Sequence, residues 1–272
     1  MKYLQLSLFS LGAFSLVPTA MAATLSFDAS SDYDNNFQEY LNPSVTSWSS
    51  DHGGSLEKGG GNSATVAIYN TTATGGSAGS GGTGAATPNN NTFSNFTLRL
   101  DFSTPELITG GDSAGIFTKV SADATSGYLV VFRLLSSGTA DFRVWDSVGT
   151  NPSTGSFGSP VSTQSFTVPA SSFAINTFYT FQLTVADVGS NVQFTGAIFT
   201  QGGGAEIGNT LTYTDTSSAL IGPGQIGFRF GSATTTPTAY DNITITPTPE
   251  PATTALLGFA GLGLASRRRR SK

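Results

Sequence analysis

Tyr179-Thr180-Phe181-Gln182-Leu183-Thr184-Val185 carries an apolar side chain at every odd position and a polar one at every even position. A period of two sends alternate side chains to opposite faces of an extended chain, so this stretch describes an antiparallel strand with one face in a core and the other in water. The same alternation runs through Phe96, Leu98, Leu100 and Phe102 against Thr97, Arg99 and Asp101, and through Ile226, Phe228 and Phe230 against Gly227 and Arg229. Weaker runs predict strands over 24–28, 63–69, 114–120, 128–135, 139–145, 192–200 and 240–246. Between the terminal segments no stretch sustains a 3.6-residue period, and no repeat recurs at fixed spacing. About eleven to thirteen short strands separated by Gly, Ser, Asn and Pro predict an all-β fold, a two-sheet antiparallel jelly-roll sandwich.

The 272 residues include 33 Gly and no Cys, and 11% are charged. So little charge excludes a charge-solvated disordered chain, and 38% apolar content excludes a multispan membrane protein. Without Cys there is no disulfide scaffold, thiolate zinc site or Cys nucleophile. The formal charge is −5, but Lys2, Arg267, Arg268, Arg269, Arg270 and Lys272 stand at the ends; residues 23–248 hold six basic and sixteen acidic side chains, a charge near −10. A body of that kind has no basic patch to displace phosphate counterions, which excludes nucleic acid as a partner.

Both ends read as addresses. Residues 1–22 contain Lys2, an apolar run over 4–17, Pro18 and the small-x-small triplet Ala20-Met21-Ala22, the layout of a secretory signal peptide cut before Ala23. At the other end Pro249-Glu250-Pro251-Ala252 precedes the apolar stretch 253–266 and then Arg267, Arg268, Arg269 and Arg270. About 14 apolar residues fall short of the ~20 that cross a bilayer comfortably, but flanking Thr and snorkelling Arg extend the reach of a short hydrophobic helix. The arginines orient such a segment with its terminus in the cytoplasm and the body outside.

The Pro-Glu-Pro triplet, the Gly/Ala/Leu-rich segment and the terminal Arg cluster, in that order, resemble the PEP-CTERM sorting tail. The resemblance implies transit through the inner membrane of a Gram-negative bacterium that makes exopolysaccharide, and processing by an exosortase. Pro249, Glu250 and Pro251 would then be a recognised motif, none of them catalytic. The other reading of the same residues is an ordinary tail anchor with a stiff Pro-Glu-Pro linker.

Residues 23–247 read as one β-sandwich domain, followed by the tail at 248–272. The Gly/Ser/Asn-rich stretch 71–92 reads as a flexible surface loop, because the two or three weak strands before it cannot bury a core of their own. The order of features resembles the concanavalin A-like lectin/glucanase superfamily, laminin-G-like jelly rolls included. The features are Phe27-Asp28, Trp48, the Gly-Asp-Ser-Ala-Gly-Ile-Phe run at 111–117, Gly127-Tyr128, the strand at 176–185, Tyr213-Thr214-Asp215, Gly224-x-Ile226-Gly227-Phe228 and Tyr240-Asp241-Asn242-Ile243.

Residues able to carry chemistry are sparse. Glycosidases of that superfamily set two Glu and an Asp on one strand face as Glu-x-Asp-x-x-Glu, because hydrolysis needs two carboxyl groups across the scissile bond. Here Glu39, Glu57, Glu106 and Glu206 are each isolated, and a non-catalytic protein is expected. His52 is the one histidine, in a turn-like Ser-Ser-Asp-His-Gly-Gly-Ser stretch, so a multi-His metal site is excluded. Asp28, Asp32 and Asp34 lie near the mature N-terminus and Asp241 in the last strand. With first and last strands adjacent, their oxygens gather toward a structural Ca²⁺, no other cofactor being expected; the alternative is a solvated Asx-rich turn.

Leu135-Ser136-Ser137-Gly138-Thr139 reads as a three-residue hairpin loop that pairs Leu135 with Thr139. That register sets Arg133 opposite Asp141 and lines Asp141, Arg143 and Trp145 along one face. In the functional reading Trp145 stacks on a sugar while Asp141 and Arg143 hydrogen-bond its hydroxyls; in the other, an ion pair sits on the sheet face with Trp145 in the core. The sequence as a whole therefore predicts an exported, non-catalytic cell-envelope or extracellular-matrix protein, sorted by exosortase, with polysaccharide as its ligand. Its rivals are a glycoside hydrolase or lyase of the same fold, and a purely structural matrix or adhesion protein.

Overall fold

Alternating sequences need a partner sheet to cover their apolar face, and this chain supplies one sheet to cover the other. The computed structural model describes residues 22–27, 36–41, 46–49, 55–58, 65–69, 91–103, 115–134, 139–148, 150–152, 157–167, 174, 177–230 and 239–248. Fifteen strands run in chain order: β1 (Ala23–Leu25), β2 (Phe37–Leu41), β3 (Thr46–Ser49), β4 (Ser55–Lys58), β5 (Thr65–Tyr69), β6 (Phe96–Ser103), β7 (Gly115–Val120), β8 (Tyr128–Leu134), β9 (Thr139–Trp145), β10 (Ser162–Thr167), β11 (Tyr179–Val188), β12 (Asn191–Thr200), β13 (Leu211–Asp215), β14 (Gln225–Phe230) and β15 (Ala239–Pro247). No helix occurs among the described residues.

The strands form two antiparallel sheets. Sheet A has the order β13-β12-β11-β6-β15-β4-β3, with β1 also paired to β15; sheet B has the order β10-β9-β8-β7-β14-β5-β2. The jelly-roll expectation holds, and the first and last strands are neighbours as expected, Ala23 standing opposite Ile245. Five strands precede residue 71 rather than the two or three read from the sequence. Residues 71–90 of the expected loop, the apolar segments at both termini and the sorting triplet lie outside the described residues.

The core lies between the sheets. Odd positions of β11 and the apolar positions of β6 and β15 point into it from sheet A; Ile116, Tyr128, Val130, Phe142, Val144 and Phe228 come from sheet B. Rings meet across the gap, Tyr128 against Phe194 at 4.8 Å and Phe132 against Phe181 at 5.7 Å between centroids. A second apolar cluster, with Val66, Ile68, Phe117, Leu129, Val131 and Trp145, lies on the other face of sheet B. Strands buried on both faces lose the alternation, which is why Tyr128-Leu129-Val130-Val131-Phe132 is continuously apolar.

The register fixes one end of the sandwich. The starts of β1, β6, β8, β10 and β14, the ends of β7, β9, β13 and β15, and the β11–β12 turn all lie there. Both the start of β1 at Ala23 and the end of β15 at Pro247 therefore leave from the same end.

Candidate functional site

Sheet B pairs Arg133 with Asp141, as the hairpin reading requires. Asp141 and Arg143 share one face of β9, and the ion pair given by the geometry joins those two: Arg143 Nη2 donates to Asp141 Oδ2 at 2.9 Å. The second oxygen, Oδ1, accepts the Ser165 hydroxyl of β10 at 2.7 Å. Asp141 is buried, its side chain 5% exposed, while Arg143 keeps 27%. Thr163 stands opposite Arg143 and Ser165 opposite Asp141, both exposed. Together the four residues make a small polar patch at the β9–β10 edge of sheet B.

Trp145 sits farther along the same face but is 7% exposed. Its Nε1 donates to the Gly158 carbonyl at 2.8 Å, and the Phe157 ring meets it edge-on at 5.5 Å. Arg229, buried, lies over the Phe157 ring at 4.6 Å. Phe157 thus contacts both Arg229 and Trp145, and the indole is buried in the apolar cluster on the outer face of sheet B. The sequence signal for it was a lone aromatic in the Gly-Ser-Phe-Gly-Ser-Pro stretch.

The outer face of sheet A carries a row of polar residues among those described. Thr246, Thr97, Thr184, Thr195 and Thr212 stand in one row across β15, β6, β11, β12 and β13. Beside the row, exposed Arg99 donates Nε to Gln182 Oε1 at 2.7 Å. Next to Arg99, buried Asp101 accepts from the Thr180 hydroxyl and from Asn242 Nδ2 at 3.1 Å. Asn242 Nδ2 also reaches Asp241 Oδ2 at 3.1 Å, so its amide bridges two carboxylates. Asn242 adopts the left-handed conformation, φ 47°, at an irregularity in the β15–β6 pairing.

Of the proposed Ca²⁺ ligands, Asp241 lies in this network, while Asp28, Asp32 and Asp34 lie outside the described residues. Phe27, the last residue described before them, also has a positive φ of 55°, and the β1–β15 register carries it toward Asp241. Among the described residues no group of three or more His, Asp or Glu side chains is close enough to hold a metal ion.

Two buried polar ties, neither legible in the sequence, join the sheets at the end where β15 finishes. Tyr128 Oη donates to Asp215 Oδ2 at 2.6 Å, and both residues are fully buried. Burial, reinforced by the carboxylate, pushes the Tyr128 hydroxyl far above its ordinary pKa. Burial pushes the Asp215 carboxyl up, but hydrogen bonds from Tyr128, Ser217 and Ser218 outweigh it and leave the pKa lowered. Lys119 Nζ meets Asp187 Oδ1 at 2.7 Å and the Gly222 carbonyl at 2.7 Å. These ties fix the sheets against each other; they present no group to a substrate.

An inter-sheet cavity of about 20 Å³, lined by Leu100, Phe102, Ile116, Val130, Phe132 and Tyr240, is apolar and has room for about one water. A sugar does not fit there.

β15 ends at Pro247, and Thr248 N donates to the Asn95 carbonyl at 2.8 Å, which ties down the last described residue. Residues 247–270 match the PEP-CTERM protein-sorting motif. The sorting motif therefore begins inside the end of the last strand. No helix among the described residues is long and apolar enough to cross a membrane.

Solved structures with similar folds include lectin II from Ulex europaeus, with 10% identity, TM-score 0.50, and coverage of 84% of this chain and 98% of that one. A carbohydrate-binding module, CBM66 from Bacillus subtilis, gives 14% identity, TM-score 0.43, and coverage of 76% and 95%. An engineered GH43 glycoside hydrolase gives 10% identity, TM-score 0.46, and coverage of 86% of this chain and 42% of that one. At 10% identity the likeness to the lectin speaks to the fold alone, a two-sheet antiparallel sandwich. No curated protein sequence matches the chain.

Proposed function

We propose that this is an exported, non-catalytic protein of the cell envelope or extracellular matrix, delivered by its C-terminal sorting motif and processed by an exosortase that recognises Pro249, Glu250 and Pro251. The observation that carries this reading is that the matched motif starts at Pro247, where the last strand ends, so a complete β-sandwich is joined directly to its address. Residues 1–22 then serve as export signal, and 253–266 hold the chain in the inner membrane of a Gram-negative cell with Arg267, Arg268, Arg269 and Arg270 on the cytoplasmic side. Mass spectrometry of the mature protein from its native host is expected to find the residues after the motif removed. A chain still ending at Lys272 would overturn the processing step.

The polar patch of Asp141, Arg143, Thr163 and Ser165 is the proposed polysaccharide contact, with Trp145 packed beside it on the same face of β9. Arg143 keeps donors directed to water while its pairing with Asp141 holds the guanidinium plane fixed, an arrangement suited to sugar hydroxyls. On a glycan array, Arg143→Ala is expected to weaken retention about tenfold or more, the worth of a hydrogen bond to a charged group. Failure of the unaltered protein to retain any glycan would favour the purely structural matrix role.

A hydrolase reading needs two carboxyl groups about 5–9 Å apart with space between them for the glycosidic bond. Asp101, beside Asp241, is buried with Thr180 and Asn242 on its two oxygens, which supports a structural role instead. A structural Ca²⁺ held by Asp241 together with Asp28, Asp32 and Asp34 is supported by the pairing of β1 with β15. A thermal melt unmoved by excess chelator would remove it.

A further inference from the structure

The described residues include four large aliphatic side chains that are markedly exposed: Val148 at 70%, Val161 at 44%, Val188 at 50% and Ile221 at 50%. All four lie at one end of the sandwich. Val188 closes β11, and Ile221 is drawn beside it because Gly222 N donates to Asp187 Oδ2 at 2.9 Å. Val148 follows Ser147, whose hydroxyl reaches the Ser218 carbonyl at 3.0 Å, in the same connection as Ile221. Val161 N donates to the Val144 carbonyl at 2.8 Å, at the start of β10. Scattered exposed aliphatics need no explanation, but their gathering at one end of a domain with so polar a surface does.

The same end releases both termini. Ala23, the first residue after the expected signal cut, stands opposite Ile245, and Thr248 is tied to Asn95 two positions beyond the β15–β6 pair Thr246–Thr97. Four residues, 249–252, separate Thr248 from the apolar segment that opens at Thr253. At about 3.5 Å per residue they span at most ~14 Å, less than the width of the sandwich itself. Any membrane that receives the segment is therefore within reach of this end of the domain.

We propose that this end is a membrane-docking surface: Val148, Val161, Val188 and Ile221 rest in the headgroup region of the bilayer that the C-terminal segment enters, and hold the sandwich upright on it. The proposal rests on the reading that 253–266 is membrane-inserted. The charge at this end agrees with a lipid surface that carries little negative charge: Lys119 and Asp187 cancel each other in their ion pair, while Asp123, exposed in the β7–β8 turn, and half-buried Asp146, two residues before Val148, leave it acidic. A bilayer rich in zwitterionic phosphatidylethanolamine is the surface it fits, because anionic headgroups repel Asp123. Interfacial binding of this kind scales with the apolar area immersed.

The absence of cysteine makes the test clean, since every introduced thiol is the single label site. Val148→Cys, Val188→Cys and Ile221→Cys are each made in the full chain and spin-labelled. They are reconstituted in phosphatidylethanolamine vesicles containing a minor share of phosphatidylglycerol. Gln201→Cys, exposed on the β12–β13 connection at the opposite end, reports the aqueous side, and Leu257→Cys reports the tail. Docking is expected to raise the ratio of oxygen to nickel-chelate accessibility several-fold at 148, 188 and 221 and to leave 201 unchanged. Rim labels that read as fully aqueous overturn the docking, whatever the tail does; a tail label that reads as aqueous overturns insertion separately. Strong dipolar coupling between rim labels of two copies would also overturn it, assigning the surface to self-association.

Discussion

Thr118 offers a sharp test of the packing. It stands on β7 between Ile116 and Val120, opposite Tyr128, and by alternation with Ile116 its side chain faces the sheet interface. It is fully buried, and its hydroxyl has no hydrogen-bond partner among the described residues. A buried hydroxyl without a partner costs about 1–3 kcal/mol in proteins, whereas valine puts a methyl of nearly the same size in its place. Thr118→Val is therefore expected to stabilise the domain by about 1–2 kcal/mol. For a domain of this size that raises Tm by roughly 2–8 °C. In urea the midpoint rises with an unchanged slope, because the surface exposed on unfolding hardly differs. Thr118→Ser, which keeps the hydroxyl and loses the methyl, should destabilise instead. If Thr118→Val lowers the midpoint, the hydroxyl is hydrogen-bonded in solution and the reasoning fails.

Asp215 ties stability to pH: its folded pKa lies below the unfolded value of about 3.9, so its contribution is complete above that value and lost as pH falls through the folded one. Urea midpoints followed downward from pH 6 should fall below about pH 4, and Asp215→Asn should flatten that drop while lowering stability at neutral pH. Lys119→Met leaves Asp187 without its cation; removing one partner of a buried pair costs about 3–5 kcal/mol, and calorimetry should show a Tm lower by many degrees. Gly196→Ala puts a methyl into the Phe142 ring across the core and should cost about 1–3 kcal/mol by chemical denaturation, with Phe142→Leu in the same chain recovering part of the loss.

Most of the strands that the sequence reveals have a neighbour on each side, although β1, paired only with β15, was also foreseen. β6, β11 and β14 carry full alternation because each gives one row of side chains to the core. Among the five strands not foreseen, β2, β3, β10 and β13 are the outermost strands of the two sheets, and β4 lies beside β3. An edge strand covers less core and tolerates polar positions, so Ser-Thr-Gln-Ser-Phe-Thr and Thr-Ser-Trp-Ser show no clear period. The polar patch was legible in part: register gave Arg133 opposite Asp141 and placed Arg143 on the same face. What packs against Trp145 was not legible, since Phe157 returns from a connection with no periodic pattern to place it. Cross-sheet partners such as Tyr128 and Asp215, 87 positions apart, leave no local trace at all.

An exported domain without disulfides must hold its two sheets together by other means, and the ties at the tail end suggest how this one does so. A buried ion pair gains little net free energy, because desolvation consumes most of the attraction; its effect is to make alternative registers expensive. Lys119 reaches Asp187 from a left-handed residue, φ 54°, beside the register shift between β14 and β7. Slipping either sheet by one residue would strand the Lys119 ammonium and the Asp187 carboxylate in the interior. Tyr128 and Asp215 add the same constraint one strand away. The sorting tail leaves from this braced end through β15, which is flanked by β6 on one side and by β1 and β4 on the other. Tension on the tail therefore loads those ladders along their length, with many hydrogen bonds sharing the force, and does not peel an edge strand one bond at a time.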